Sequence, residues 1–149
     1  MALRVPSWAR TFRVSIGDTS FDGTPGERAV VNRVWTKGDQ IHVALDYPVV
    51  LLNGGKSYPA HAALKRGPLV LAVDSLLNAG LDSVGSVTIV AAHDIELTPA
   101  TERLSEGWFG TLAYTTEAVT ATNGETVVLT PFATTGQYGN SYLTWLRKK

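Results

Sequence analysis

Residues 62–74 read AALKRGPLVLAVD. The stretch has the pattern of a buried β-strand cut in the middle, with apolar runs on both sides of Lys65-Arg66-Gly67-Pro68. Two adjacent cations are costly inside a core, and proline donates nothing to a sheet ladder. The interruption is open to three readings: a strand passing between sheets, a ligand site, or a plain structural bend. A bend fits the residue types best. Residues 62–65 can end one pairing, Gly67-Pro68 can turn the chain, and residues 69–73 can enter a core that is apolar on both sides. Lys65 and Arg66 then lie at a corner, with their charges in water or on a neighbouring domain.

Working outward, the dominant period is two. In 40–47, Ile41, Val43, Leu45 and Tyr47 share one face, while Gln40, His42, Ala44 and Asp46 share the other, as in a half-buried antiparallel strand. In 11–16, Phe12, Val14 and Ile16 point inward, and Arg13 and Ser15 outward. Residues 27–35, 85–91, 108–115, 125–132 and 140–147 are further strand candidates, rich in Val, Ile, Thr and aromatics. Residues 17–26 read as a loop, 37–39 as the turn of a hairpin, and Asn53-Gly54-Gly55 and Asn123-Gly124 as turns. Helical signal is confined to single turns at 74–80 and 100–104. Turn signals about every ten residues predict an all-β fold, an antiparallel β-sandwich of two packed sheets with at most one or two short helical turns.

The 149 residues suit one domain over 1–149. Strand-like sequence begins at once, with no apolar leader, which leads us to expect a domain cut from a longer chain. There is no cysteine, so disulfides, thiolate metal sites and a cysteine nucleophile are excluded. The compartment, cytoplasmic or secreted bacterial, stays open. Thirteen Lys and Arg balance thirteen Asp and Glu, and Arg147-Lys148-Lys149 is the only basic run. Nucleic acid is therefore not an expected partner. No apolar run approaches the ~20 residues of a bilayer-spanning helix.

Candidate chemistry is sparse. Asp18 and Asp22 in DTSFDG resemble the start of a calcium loop, but Ala29 stands where an EF-hand needs its glutamate. In His93-Asp94-Ile95-Glu96, a strand would point Asp94 and Glu96 one way and His93 the other, so the three do not converge on a metal. The two carboxylates could work as an acid/base pair only inside a shaped cleft. His42 and His61 have no telling partner. Nucleophile elbows, zinc-protease motifs and phosphate loops are absent, and no metal or cofactor is expected. Among the aromatics, Trp35 and Trp145 fall within alternating strands and read as core or sheet-end residues. Trp8, Trp108 and Tyr138 are less constrained and are the candidates for stacking a sugar ring.

Several segments, taken in order, resemble one family. LRVPSWA (3–9), NRVWTKGDQIHVAL (32–45), YPV (47–49), AALKRGPLVLAVD (62–74) and LTPFATTGQYGNSYLTWLR (129–147) are similar to the β-sandwich region that follows the catalytic domain in the β-L-arabinofuranosidase-like proteins, glycoside hydrolase family 127. Arg33, Trp35, Gly38, Asp39, Arg66, Gly67, Pro68, Pro131, Phe132, Trp145 and Leu146 carry the motifs. The resemblance implies a helical-barrel catalytic domain elsewhere, with a cysteine nucleophile, a glutamate and a zinc ion. None of these can be placed on this cysteine-free chain. Residues 17–26 and 75–107 carry no matching motif. The matched residues themselves read as scaffold. Gly38 supplies a turn angle, Asp39 bonds back to that turn, and Arg33 pairs with Asp39 or Asp46.

Three functions follow, in order of support. The first is a non-catalytic accessory region that packs on a catalytic domain or forms a subunit interface, with Arg66 as a candidate inter-domain contact. The second is a carbohydrate-binding module using Trp8, Trp108 and Tyr138. The third is a stand-alone enzyme using Asp94 and Glu96.

Overall fold

The computed structural model describes residues 1–91 and 94–149. It is all-β and antiparallel apart from one parallel pairing, with helix limited to three single 3-10 turns among the described residues. The chain divides into two compact units, Met1–Pro48 and Val49–Lys149.

The first unit holds β1 (Ala2–Arg4), β2 (Phe12–Ile16), β3 (Thr19–Asp22), β4 (Arg28–Val30) and β5 (His42–Leu45). β1 pairs with β4, and β3-β2-β5 form a second small sheet. Val5, Phe12, Val14, Ile16, Ala29 and Val31 fill the core between them. The alternation expected for 11–16 is seen directly: Phe12, Val14 and Ile16 are buried and Arg13 is exposed. Residues 17–26 are not one loop. Gly17-Asp18 closes a two-residue hairpin, because Ile16 pairs with Thr19 and the ladder runs on to Arg13 and Asp22.

The strand foreseen over 27–35 stops at Val30, and Trp35 lies on a connecting loop rather than in a core. The turn at 36–39 joins no pair of strands, since β4 pairs with β1 and β5 with β2. Its local chemistry is nevertheless as read. Asp39 accepts from the Thr36 N–H at 2.9 Å and from the Thr36 hydroxyl at 3.1 Å. Arg33 pairs with Asp39 at 3.3 Å, and Gly38 sits at φ +99°. These short-range bonds close a loop without needing a neighbouring strand.

The second unit is a sandwich. Its strands are β6 (Val49–Asn53), β7 (His61–Arg66), β8 (Leu69–Asp74), β9 (Val87–Ile89), β10 (Thr98–Pro99), β11 (Tyr114–Thr115), β12 (Val119–Ala121), β13 (Leu129–Pro131), β14 (Tyr142–Leu143) and β15 (Leu146–Lys148). One layer runs β10-β11-β13-β8 with β14 also on β8; the other runs β6-β7-β15-β9-β12. Leu71, Val73, Tyr114 and Leu129 from the first layer meet Ala62, Leu64, Val87, Ile89, Val119 and Leu146 from the second. A single Leu→Ala change among the fully buried leucines would cost about 2–5 kcal/mol.

The interruption at 65–68 is the corner of this sandwich. β7 and β8 share only two pairs, Lys65–Val70 and Arg66–Leu69, across a turn in which Gly67 takes φ +54°. β7 continues along β6 and β8 along β13, in different layers. The chain thus turns and changes layer at once. The last strand candidate, 140–147, makes a second change of layer. β14 pairs with β8, the ladder breaks at Thr144-Trp145, and β15 pairs with β7 and β9. Both faces of β8 are buried, which accounts for its unbroken apolar run. Leu77, Trp108, Ala113 and Val128 form a separate buried cluster, and since Ala113 and Val128 alternate with the core residues Tyr114 and Leu129, it lies on the outer side of the first layer. The strand foreseen over 108–115 is reduced to Tyr114–Thr115; of the preceding residues, Trp108 and Ala113 join this cluster while Phe109 faces solvent.

Candidate functional site

Several loops of the second unit are tied together at the end of β8. Asp74 and Asn78 anchor them. Asp74 is fully buried, and its carboxylate accepts from the Leu76 N–H at 2.9 Å and the Gly136 N–H at 2.8 Å, and from the Asn140 amide. Asn78 donates to the carbonyls of Asp74 and Val128 at 2.8 and 3.0 Å and accepts from the Val128 N–H at 2.8 Å. The helical turn foreseen at 74–80 is instead a run of turns held by these two side chains.

Gln137 ties the loop before β11 to the loop after β13. Its amide accepts from the Phe109 N–H at 2.8 Å and donates to the Phe109 carbonyl at 3.1 Å. The Tyr138 hydroxyl donates to the Gly107 carbonyl at 3.0 Å. Two rings are left outward on this braced surface, Phe109 at 76% and Tyr138 at 67% exposure. Phe132 and Tyr142, edge to face at 5.7 Å, are half-exposed on the same loop and the strand after it. The sequence singled out Tyr138 but missed Phe109 and Gln137, because their pairing spans 28 residues and has no local signature.

The other candidates are distributed differently. Trp108 is 9% exposed and packs in the buried cluster with Leu77, Ala113 and Val128, which leaves little ring surface for a sugar; its indole N–H has no acceptor among the described residues. Trp8, in the first unit, stacks on Tyr47 with ring centres 5.3 Å apart. Arg66 is engaged within its own unit: its guanidinium lies 5.1 Å from the Tyr114 ring centre and donates to the Tyr114 hydroxyl at 3.1 Å. Burial of the cationic stem against an aromatic ring explains how an arginine sits at this corner.

Asp94 and Glu96 are both exposed, with Ile95 buried between them, so they do share a side. They line a hollow of about 530 Å³ with Glu117. Its described lining has no aromatic wall and no cation, which leaves the pair without the shaped cleft that acid/base catalysis requires. His93 lies outside the described residues. Asp22, the second calcium candidate, is held by Arg13 in a two-pronged pair at 2.8 and 2.9 Å. That contact lowers the Asp22 pKa, with the Arg13 hydrogen bond as the main cause. No cluster of three or more His, Asp or Glu side chains suited to a metal occurs among the described residues. Among them, too, no helix is long and apolar enough to cross a membrane.

This architecture is found in solved glycoside hydrolases. One structure described as a glycoside hydrolase matches 99% of this chain at TM-score 0.76 and 24% identity. A GH127 β-L-arabinofuranosidase from Geobacillus stearothermophilus T6 matches 99% at TM-score 0.71 and 19% identity. The GH127 β-arabinofuranosidase BT3674 matches the whole chain at TM-score 0.75 and 19% identity. In each case this chain spans about a quarter of the matched protein, 26–27% of its length. No protein-family model matches the chain, and no curated protein sequence does. The fold expected from the segment resemblance is therefore the fold observed.

Proposed function

We propose that this chain is the non-catalytic β-sandwich region of a glycoside-hydrolase-like protein and packs against a helical-barrel catalytic domain. One observation carries the reading: its whole length superposes on a quarter of proteins described as glycoside hydrolases. The absence of cysteine supports it, since the nucleophile and zinc ligands implied by the resemblance would have to lie elsewhere. The braced, exposed rings of Phe109 and Tyr138 are the surface best suited to an apolar domain contact.

Two measurements test this. The 149-residue protein alone, assayed on aryl arabinofuranosides and a panel of other aryl glycosides, is expected to show no turnover above buffer; enzyme-like turnover would overturn the reading. A separately produced helical barrel of a GH127 enzyme should be stabilised thermally by this chain, and less so by Phe109→Ser. No stabilisation at any ratio would count against the packing role. For carbohydrate binding as a second activity, the relevant observation lies on another face.

A further inference from the structure

We propose that the solvent face of the β7-β15-β9-β12 layer binds an acidic sugar residue, a uronate. The strand order sets four polar side chains side by side. Arg147 pairs with His61 on one flank and Thr88 on the other, and Thr88 pairs with Thr120. Their neighbours Leu146, Ala62, Ile89 and Val119 are buried in the core, so these four residues take the opposite face. A hollow of about 380 Å³ opens there, lined by His61, Ser86, Thr88, Thr122, Trp145 and Arg147 among others. That volume is within the range of small-molecule sites.

The lining contains a guanidinium, an imidazole, three hydroxyls and an indole, and no carboxylate. Some of these groups are committed: the Ser86 hydroxyl donates to the Ser83 carbonyl at 2.7 Å, and the Thr88 hydroxyl bonds to Thr120 at 3.3–3.4 Å. The charged and ring groups are open. Among the described residues, Arg147 has no ion pair or hydrogen bond to another side chain, whereas its neighbour Lys148 is tied to Asn53 at 3.2 Å. His61 places Nδ1 2.7 Å from the Pro59 carbonyl, which can only accept. Nδ1 therefore donates, and Nε2 is the open nitrogen. Among the described residues, the Thr122 hydroxyl and the Trp145 N–H likewise have no partner. Trp145 is pinned by near-parallel stacking on Tyr58, with ring centres 5.2 Å apart and planes 9° apart, so its indole is held in place before a ligand arrives.

Each feature selects one part of the ligand. A guanidinium matches a carboxylate in two-pronged fashion. An indole presents the apolar surface that covers one face of a pyranose ring. Hydroxyls and an open imidazole nitrogen exchange hydrogen bonds with sugar hydroxyls. A bare anion would leave the indole unused, and a neutral sugar would leave Arg147 unmatched. This site differs from the aromatics singled out in the sequence, and it does not depend on which domain this chain accompanies.

Calorimetry of the protein with a galacturonic acid trimer and with its neutral galactose counterpart decides the matter. The acidic trimer should bind at millimolar concentration or below, and more tightly than the neutral one. Arg147→Gln should weaken it about tenfold or more and remove the preference. Trp145→Ala should weaken both sugars, and Tyr138→Ala should change neither. Arg147 is exposed, so its variant keeps the test valid if Trp145→Ala does not fold. No binding of the acidic trimer, equal binding of the neutral one, or an unchanged affinity in Arg147→Gln would overturn the proposal.

Discussion

Asn78→Ala should be among the most damaging single polar changes in the second unit. The wild-type amide satisfies three backbone groups in a buried setting: the carbonyls of Asp74 and Val128 and the N–H of Val128. Alanine supplies none of these bonds, and all three are buried, with Val128 fully so. An orphaned buried backbone group costs about 1–3 kcal/mol, and partial relaxation makes the sum sub-additive, so a loss of ~3–5 kcal/mol is expected. Against a typical domain stability of about 5–15 kcal/mol, that is a third or more of the total. Asn78→Asp sharpens the reasoning. It keeps an acceptor for the Val128 N–H but removes both donated bonds and sets a carboxyl against two carbonyls, so it should rescue little. Urea unfolding followed by tryptophan emission, with Trp8 and Trp35 replaced by Phe so that the signal comes from the second unit, gives the number. A loss below ~1 kcal/mol for Asn78→Ala would show that the amide is not the anchor described above.

Three further outcomes are expected. Gly67→Ala forces a Cβ into the left-handed region at the corner turn and should cost about 1 kcal/mol or more by the same urea assay. Tyr114→Phe removes an acceptor from Arg66 while keeping the ring beneath it, for a loss of about 1 kcal/mol; a loss as large as that of Tyr114→Ala would mean the hydroxyl is not the smaller share. In the first unit, Asp22, Asp39 and Asp46 titrate below the ordinary aspartate value, held down mainly by Arg13, by the Thr36 N–H and by the Thr11 N–H respectively. A carboxylate whose folded pKa is depressed contributes stability above its unfolded pKa and loses it as pH falls through the folded one. The first unit should therefore weaken on acidification below the normal carboxylate range, and carbon-detected NMR titration of the three side chains should place all of them below that range.

Much of the fold was legible where a pattern is local. The period-two runs at 11–16 and 85–91 became β2 and β9, and the Arg33, Gly38 and Asp39 turn closed on itself as its residue types require. The bend at Gly67-Pro68 was legible too; the change of layer it makes stood only as one of three readings, because pairing partners 56 or more residues away decide it. β6 was missed since its apolar run VVLLN does not alternate and follows Pro48 directly. The boundary between the two units falls at the same place, with no Gly- or Ser-rich segment to mark it. Trp108 misled because a tryptophan beside Gly107 looks like a loop residue, and it is one, yet it is buried with Leu77, Ala113 and Val128. In the sequence Arg147 stands out only as the start of the one basic run. Only its position between His61 and Thr88 gives it company.

That central position of β15 has a consequence for synthesis. Leu146–Lys148 is the strand that joins β7 to β9, so without it the second layer is two separate ribbons, β6-β7 and β9-β12. As the chain leaves the ribosome, more than ninety residues of the sandwich must wait, with apolar faces uncovered, for the last few to arrive. Closure is then a single late event that depends on distant contacts, which is the slow regime of folding. Any truncation that removes Leu146–Lys148 would leave an open sheet with free edges, the form of this unit most in need of a chaperone.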